Sequence, residues 1–290
     1  MNLWRQFIRP TSISEALQAL ADAPGPALPI AGGTDLLLDL QQGRHSPIHT
    51  LVDLTAIPEM SLLEQRQDHL FIGAAVPLNS IARHPLVMRH AQALVEACDL
   101  VGGPQVRNVA TLGGNVAHAL PAADGTIALL ALDAQAEIAG LAGNRHAAVI
   151  DLFVGPGKSA LKQGEQLLVG FYLPLLRKGQ ATAFKRIMRP QGVALPILNL
   201  AIRLSREKDT VKDIRIAVGP GGAIPFRATQ AEDSLRGQTF GEAALERALE
   251  ALLAQAKFRT SARRASADYR RHLAGTLFKD TIEEAWERAK

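Results

Sequence analysis

At 290 residues, 47% hydrophobic and 21% charged, the chain has an ordinary globular composition and is long enough for a large core and two or three domains. Its net charge of +4 is too small an excess to point to nucleic acid, and no apolar run reaches membrane-spanning length before a charge such as Asp133 interrupts it. The single cysteine, Cys98, can neither close a disulfide within the chain nor supply the thiolates of an iron–sulfur cluster. The opening MNLWRQFIRP has no apolar leader region, so a cytoplasmic location is expected.

Ser12-Ile13-Ser14-Glu15 forms a capping box ahead of Ala16, Leu17 and Leu20, predicting a short amphipathic helix that ends at the Pro24-Gly25-Pro26 break. Residues 28–31 read as a short buried strand running straight into Ala31-Gly32-Gly33-Thr34-Asp35, with a helix opening over 36–40. Paired glycines lack Cβ, so this turn can take positive φ and admit a ligand close to the main chain. Successive N–H groups there, next to a helix N-terminus, suit a phosphate. Asp35 opposes an anion by its charge and is expected to accept backbone N–H bonds or to face a ribose hydroxyl. Strands follow over 48–54 and 70–75, and Pro77 opens a helix. A longer helix is predicted over 86–99, with Val87, Ala91, Leu94, Val95 and Cys98 on one stripe, which makes Cys98 a small core residue.

Residues 101–125, VGGPQVRNVATLGGNVAHALPAADG, carry a second turn of the same chemistry, Thr111-Leu112-Gly113-Gly114-Asn115. One isolated Gly-Gly pair reads as well as a tight turn with no ligand. Two Gly-Gly-polar turns suggest two phosphates, or one diphosphate held from both sides. Neither fits a Gly-x-Gly-x-x-Gly fingerprint. Gly157-Lys158-Ser159 imitates the end of a phosphate loop, but the glycine required five positions earlier is Leu152.

The helix expected over 126–132 precedes a hairpin-like stretch over 134–150, and a strand over 166–173 closes the first domain. After a linker over 175–180, strands are predicted over 182–188, 195–205 and 211–218, with a charged turn at 207–210. Ile214, Ile216 and Val218 alternate with Arg215 and Ala217, as in a sheet with one wet face. From Ala228 the pattern is helical, with Leu245, Leu249 and Leu252 on one face and a last helix over about 265–289. The basic run KFRTSARRASADYRR, 257–271, reads as a solvated helix face, or as a docking patch for a partner or a nucleotide phosphate.

The segments IAGGTDLL (30–37) and GGPQVRNVATLGGNVAHALPAAD (102–124) together resemble the FAD-binding medium subunit of the molybdenum hydroxylases, the family of carbon monoxide dehydrogenase and xanthine dehydrogenase. The resemblance continues through DLFVGPGKSAL, GEQLLVGFYLP and AFKRIMR and so covers most of the chain. It implies an α+β fold. A two-part FAD-binding domain of the vanillyl-alcohol-oxidase/PCMH type would span 1–176, divided near 55–60. A smaller α+β domain over 180–290 would carry a three-stranded sheet backed by helices.

By the same resemblance, Leu28, Pro29, Ile30, Ala31, Gly32, Gly33, Thr34 and Asp35, with Thr111, Leu112, Gly113, Gly114 and Asn115, would hold the FAD diphosphate and ribityl region. Asp124 stands where the family has an acid that bonds the cofactor, and Leu168 and Lys185 where it lines the flavin ring. Val101 stands at a position that is aromatic in eukaryotic members, and Leu120-Pro121 replaces a common Asp-Pro. Lys185 beside the ring would stabilise the reduced anion and raise the potential, a role for which Arg186 and Arg189 compete. The family binds FAD non-covalently, which argues against attachment through His118. The segment around Gly157 would be a surface connection.

The implied role is electron transfer within a complex, with no catalytic residue or metal ligand on this chain. A molybdenum cofactor on a large subunit hydroxylates the substrate. 2Fe–2S clusters on a small subunit pass electrons to this FAD, and NAD⁺, oxygen or a quinone-type acceptor takes them up. The assembly would be a heterotrimer or its dimer. A stand-alone FAD oxidoreductase of the same fold, and a scaffold subunit with a decayed site, are the alternatives.

Overall fold

The computed structural model describes residues 3–189, 195–262 and 264–290. Ser12 caps the first helix, Ile13–Ala21, its hydroxyl accepting the Glu15 N–H at 3.2 Å. The Glu15 carboxylate reaches back to the Thr11 N–H at 2.8 Å, closing the capping box one residue earlier than the motif prescribes. The helix lies beside a small parallel sheet in which Ile48–Asp53 runs between Trp4–Ile8 and Ala27–Ile30. Leu28, Ile30, Leu40, Ile48 and Leu51 form its own core.

From Leu63 the pairing becomes antiparallel. Five strands, Leu63–Arg66, His69–Gly73, Gln166–Pro174, Gln135–Gly140 and Gly143–Ala148, lie in that spatial order. Gln166–Pro174 comes last in the chain and sits at the centre, so the intervening helices are an excursion that packs back onto the sheet. Leu78, Ile81, Leu94 and Ile127 from those helices share a core with Ile72, Val169 and Phe171. A central strand covered in this way reads as an unbroken apolar run, QLLVGFYLP.

The single helix expected over 86–99 is two, Pro85–His90 and Gln92–Leu100, broken at Ala91, whose φ of −148° and ψ of 49° are not helical. The second helix has no side-chain cap of its own in sequence. Its Ala93 N–H is taken by the Thr182 hydroxyl at 2.9 Å, and Thr182 lies on the other domain's sheet. Apolar periodicity cannot reveal a cap delivered from such a distance. Thr182→Val keeps the shape and leaves that buried N–H unpaired, so urea unfolding should show a loss of about 1–3 kcal/mol.

The second domain has the three expected antiparallel strands, Gln180–Ile187, Leu198–Glu207 and Thr210–Gly219, and Phe226–Arg227 adds a short fourth at the edge. Leu200, Ile202 and Ile216 face a core with Ala248, Leu252, Phe278 and Ile282 from the helices Glu242–Gln255 and Ala267–Arg288. The opposite face is not wet, contrary to the alternation of Arg215 with Ile214 and Ile216. Phe184, Ala201 and Ala217 on that face join the core of the first domain. Several polar groups are paired across the boundary: Arg215 and Arg227 both reach Asp133, at 2.8 and 2.7 Å, and the Glu96 carboxylate accepts the Phe184 N–H at 2.8 Å. A polar interface and a solvated face look alike in a period-two pattern. Among the described residues no helix is long and apolar enough to cross a membrane.

Candidate functional site

The two glycine turns meet. Gly33 adopts φ +67°, the left-handed conformation that the sequence anticipates there. Gly32 lies flat against the chain entering the second turn: a Cβ on it would sit 2.1 Å from the Val109 carbonyl oxygen. The second turn differs from expectation, because Gly113 and Gly114 are in the first turn of the helix Leu112–Ala117 and neither has positive φ. Thr111 caps this helix through its hydroxyl, which accepts the Gly114 N–H at 3.1 Å. Gly113 is required for packing, since its Cβ would lie 2.5 Å from that of Ala74. Gly114 has room, with only the Thr111 hydroxyl oxygen at 3.2 Å.

Between the turns and the second domain opens a cavity of about 690 Å³, lined by every residue from Leu28 to Asp35 and by Val101, Thr111, Gly113, Gly114, Asn115, Asp124 and Leu168. Two expected residues do not line it. Leu112, the first residue of its helix, is fully buried in the core. Lys185 lies on the strand Gln180–Ile187 with its Nζ 2.7 Å from Glu284 of the last helix. Strand side chains alternate, so Lys185 shares the helix-facing side with Ala183, while Arg186 shares the first-domain side with Phe184. Arg186, one of the two competitors for the role, is the basic residue that this strand places in the cavity wall. Counting from the apolar Phe184 was the signal available. Lys185→Ala, like Lys158→Ala at a side chain outside the lining, should leave the flavin-to-protein absorbance ratio of the purified chain unchanged.

Arg186 is buried and donates to the Asp124 carboxylate at 2.6 Å, and the Asn199 amide donates to the other carboxylate oxygen at 2.6 Å. Burial holds the Asp124 carboxyl above its ordinary range, while Arg186 and Asn199 pull it down. Asp124 thus ties the domains together from the floor of the cavity. The Arg186 Nε is buried with no partner. Asp35 makes no capping bond to the backbone; it is exposed, 4.0 Å from His118 on the opposite rim. The segment with Gly157 is more than a surface connection, since Gly157, Ser159 and residues 161–164 complete the wall and the Gly157 N–H donates to the Ala119 carbonyl at 2.9 Å. Cys98 is fully buried in the core, and burial pushes its thiol up, which leaves it inert. Among the described residues no group of three or more His, Cys, Asp or Glu side chains could hold a metal.

The wall suits a large anionic cofactor. Its volume falls in the range of about 300–1,000 Å³ common for such sites. Glycines keep the main chain bare at two points, and a buried guanidinium has an unused donor. Residues 4–176 match the family model described as the FAD binding domain in molybdopterin dehydrogenase. The chain belongs to this family.

As a medium, FAD-binding subunit of the molybdenum hydroxylase type, it also matches the carbon monoxide dehydrogenase flavoprotein C-terminal domain over residues 182–285. It is 31% identical to the xanthine dehydrogenase FAD-binding subunit of Escherichia coli O157:H7, over 96% of this chain and 95% of that one. Its structure superposes on a chain of carbon monoxide dehydrogenase from Hydrogenophaga pseudoflava, solved lacking the Mo-pyranopterin moiety, with TM-score 0.92, 28% identity and 98% coverage of both chains. Quinoline 2-oxidoreductase from Pseudomonas putida 86 gives TM-score 0.90 at 29% identity, again covering 98% of both.

Proposed function

We propose that this flavoprotein subunit carries one non-covalent FAD and takes electrons from 2Fe–2S clusters of a small subunit, delivering them to NAD⁺ or another acceptor. A large molybdopterin subunit would hydroxylate the substrate, in a cytoplasmic heterotrimer or its dimer. The observation that carries the reading is the meeting of both glycine turns on one cavity. Bound FAD supplies the redox chemistry, gathering electrons singly and releasing them in pairs.

The chain's own residues position and tune. Gly32, Gly33 and Thr34 on one side offer bare main chain to the diphosphate, and Gly113, Gly114 and Asn115 line the other side, where the glycines leave space for it. Leu28, Val101 and Leu168 supply apolar wall that excludes water, and Arg186 sets a fixed positive charge held in place by Asp124. The domain boundaries proposed, 1–176 and 180–290, are supported by the family matches over 4–176 and 182–285, and the division near 55–60 by the change from parallel to antiparallel pairing between Asp53 and Leu63.

Acid precipitation of the purified chain tests the cofactor: the yellow colour should stay in the supernatant. Colour in the pellet would mean a covalent link, and a colourless chain that refuses added FAD would end the reading. The isolated chain should oxidise no organic substrate; turnover by it alone would favour a stand-alone oxidoreductase.

A further inference from the structure

Beside the FAD cavity lies a second chamber of about 240 Å³. Pro121, Ala122 and Arg264 belong to both walls. The rest of the chamber comes from Pro220, Gly222, Arg259, Thr260, Ser261 and Arg270. Its polar lining is therefore three arginines and two hydroxyl residues.

Arg270, on the last helix, is only 4% exposed. One terminal nitrogen donates to the Arg259 carbonyl at 3.0 Å, and its Nε is buried without a partner. Among the described residues, none of the three arginines pairs with a carboxylate. Burial pushes the Arg270 guanidinium below its ordinary range, and the charges of Arg264 and Arg259 push it the same way. Three cations around one small chamber repel one another, and a buried charge without a counter-charge is destabilising. A bound anion relieves both penalties.

The chemistry narrows the anion. Arginine's planar donor set matches the oxygens of phosphate and carboxylate alike. A monocarboxylate leaves two of the three positive charges unbalanced, whereas a phosphate dianion or a diphosphate neutralises most of them. The Thr260 hydroxyl accepts the Ala267 N–H at 3.0 Å, which leaves its own proton free to donate to a further oxygen. We propose that this chamber is a phosphate-binding site, distinct from the FAD cavity and opening beside it. Two sources carry that chemistry: the diphosphate of a dinucleotide acceptor, which rests on the electron-transfer reading above, and a free inorganic phosphate or diphosphate, which does not.

The test is isothermal titration of the FAD-loaded full chain with inorganic pyrophosphate at constant ionic strength, with chloride as control. Saturable binding is expected, weakened tenfold or more by Arg259→Gln, at an exposed position, with the flavin-to-protein ratio unchanged. Arg270→Lys, which keeps the charge and loses the planar donor set, should weaken it comparably. If NADH displaces pyrophosphate, the site belongs to a dinucleotide; if it does not, the free anion is the ligand. A chain that takes up no FAD but still binds pyrophosphate through Arg259 would end the electron-transfer reading and leave this site standing. Absence of saturable binding of both pyrophosphate and NADH, binding that survives both substitutions, or loss of FAD from Arg259→Gln would overturn the proposal.

Discussion

Gly32→Ala is expected to purify without flavin and to melt roughly 5–10 °C below the parent chain, on an overpacking cost of about 1–3 kcal/mol or more. The added Cβ would lie 2.1 Å from the Val109 carbonyl oxygen and 2.7 Å from its carbon. Both are backbone atoms, so no rotamer change relieves the clash. The first turn must separate from the chain that enters the second, and the two sides of the proposed diphosphate site separate with it. Gly114→Ala is the control. Its Cβ meets only the Thr111 hydroxyl oxygen, at 3.2 Å, and its helical backbone suits alanine. That variant should melt within a degree or two of the parent, so any loss of flavin from it reports space in the cavity. Flavin absorbance against protein absorbance, with a thermal melt of each variant, reads both effects. Equal flavin content in Gly32→Ala and the parent would show that the two turns act independently.

Arg186→Met should destabilise the protein at neutral pH by about 3–5 kcal/mol, the usual cost of stranding one partner of a buried ion pair. Asp124 would keep its Asn199 bond but lose the cation 2.6 Å away. Burial already raises the Asp124 pKa, and removing Arg186 takes away the largest influence lowering it. The sign of the pH dependence follows. A carboxyl whose folded-state pKa is raised favours folding most below its unfolded pKa, and that contribution drains away as pH rises through the folded value. The deficit of Arg186→Met should therefore shrink on acidification from neutral pH, where the neutral carboxyl needs no cation. Asp124→Asn combined with Arg186→Met should recover part of the loss at neutral pH and show none of this pH dependence. Denaturant titrations of the parent and both variants at two pH values would decide it. A deficit that grows toward acid would contradict a buried, raised carboxyl.

The linear pattern carried the architecture far. Capping by Ser12, the strand into Gly33, the hairpin after Asp133 and the three long strands of the second domain are all local matters. A cap, a positive-φ glycine or a period of two is decided by residues close in sequence, and so is legible there. The family membership was legible for the same reason, because the two glycine strings are contiguous. Other features were settled only when distant segments met. Thr182 caps a helix 89 residues away, Asp133 and Asp124 turn an apparently wet sheet face into an interface, and the residue after Lys185 reaches the cavity. Gly113 needs its bareness for Ala74 and not for its own φ, a requirement set by a neighbour far away along the chain. Polar side chains look alike in sequence whether their partner is water, a cofactor or another domain. Packing alone assigns the partner, because burial makes each unpaired donor and charge costly enough to demand one.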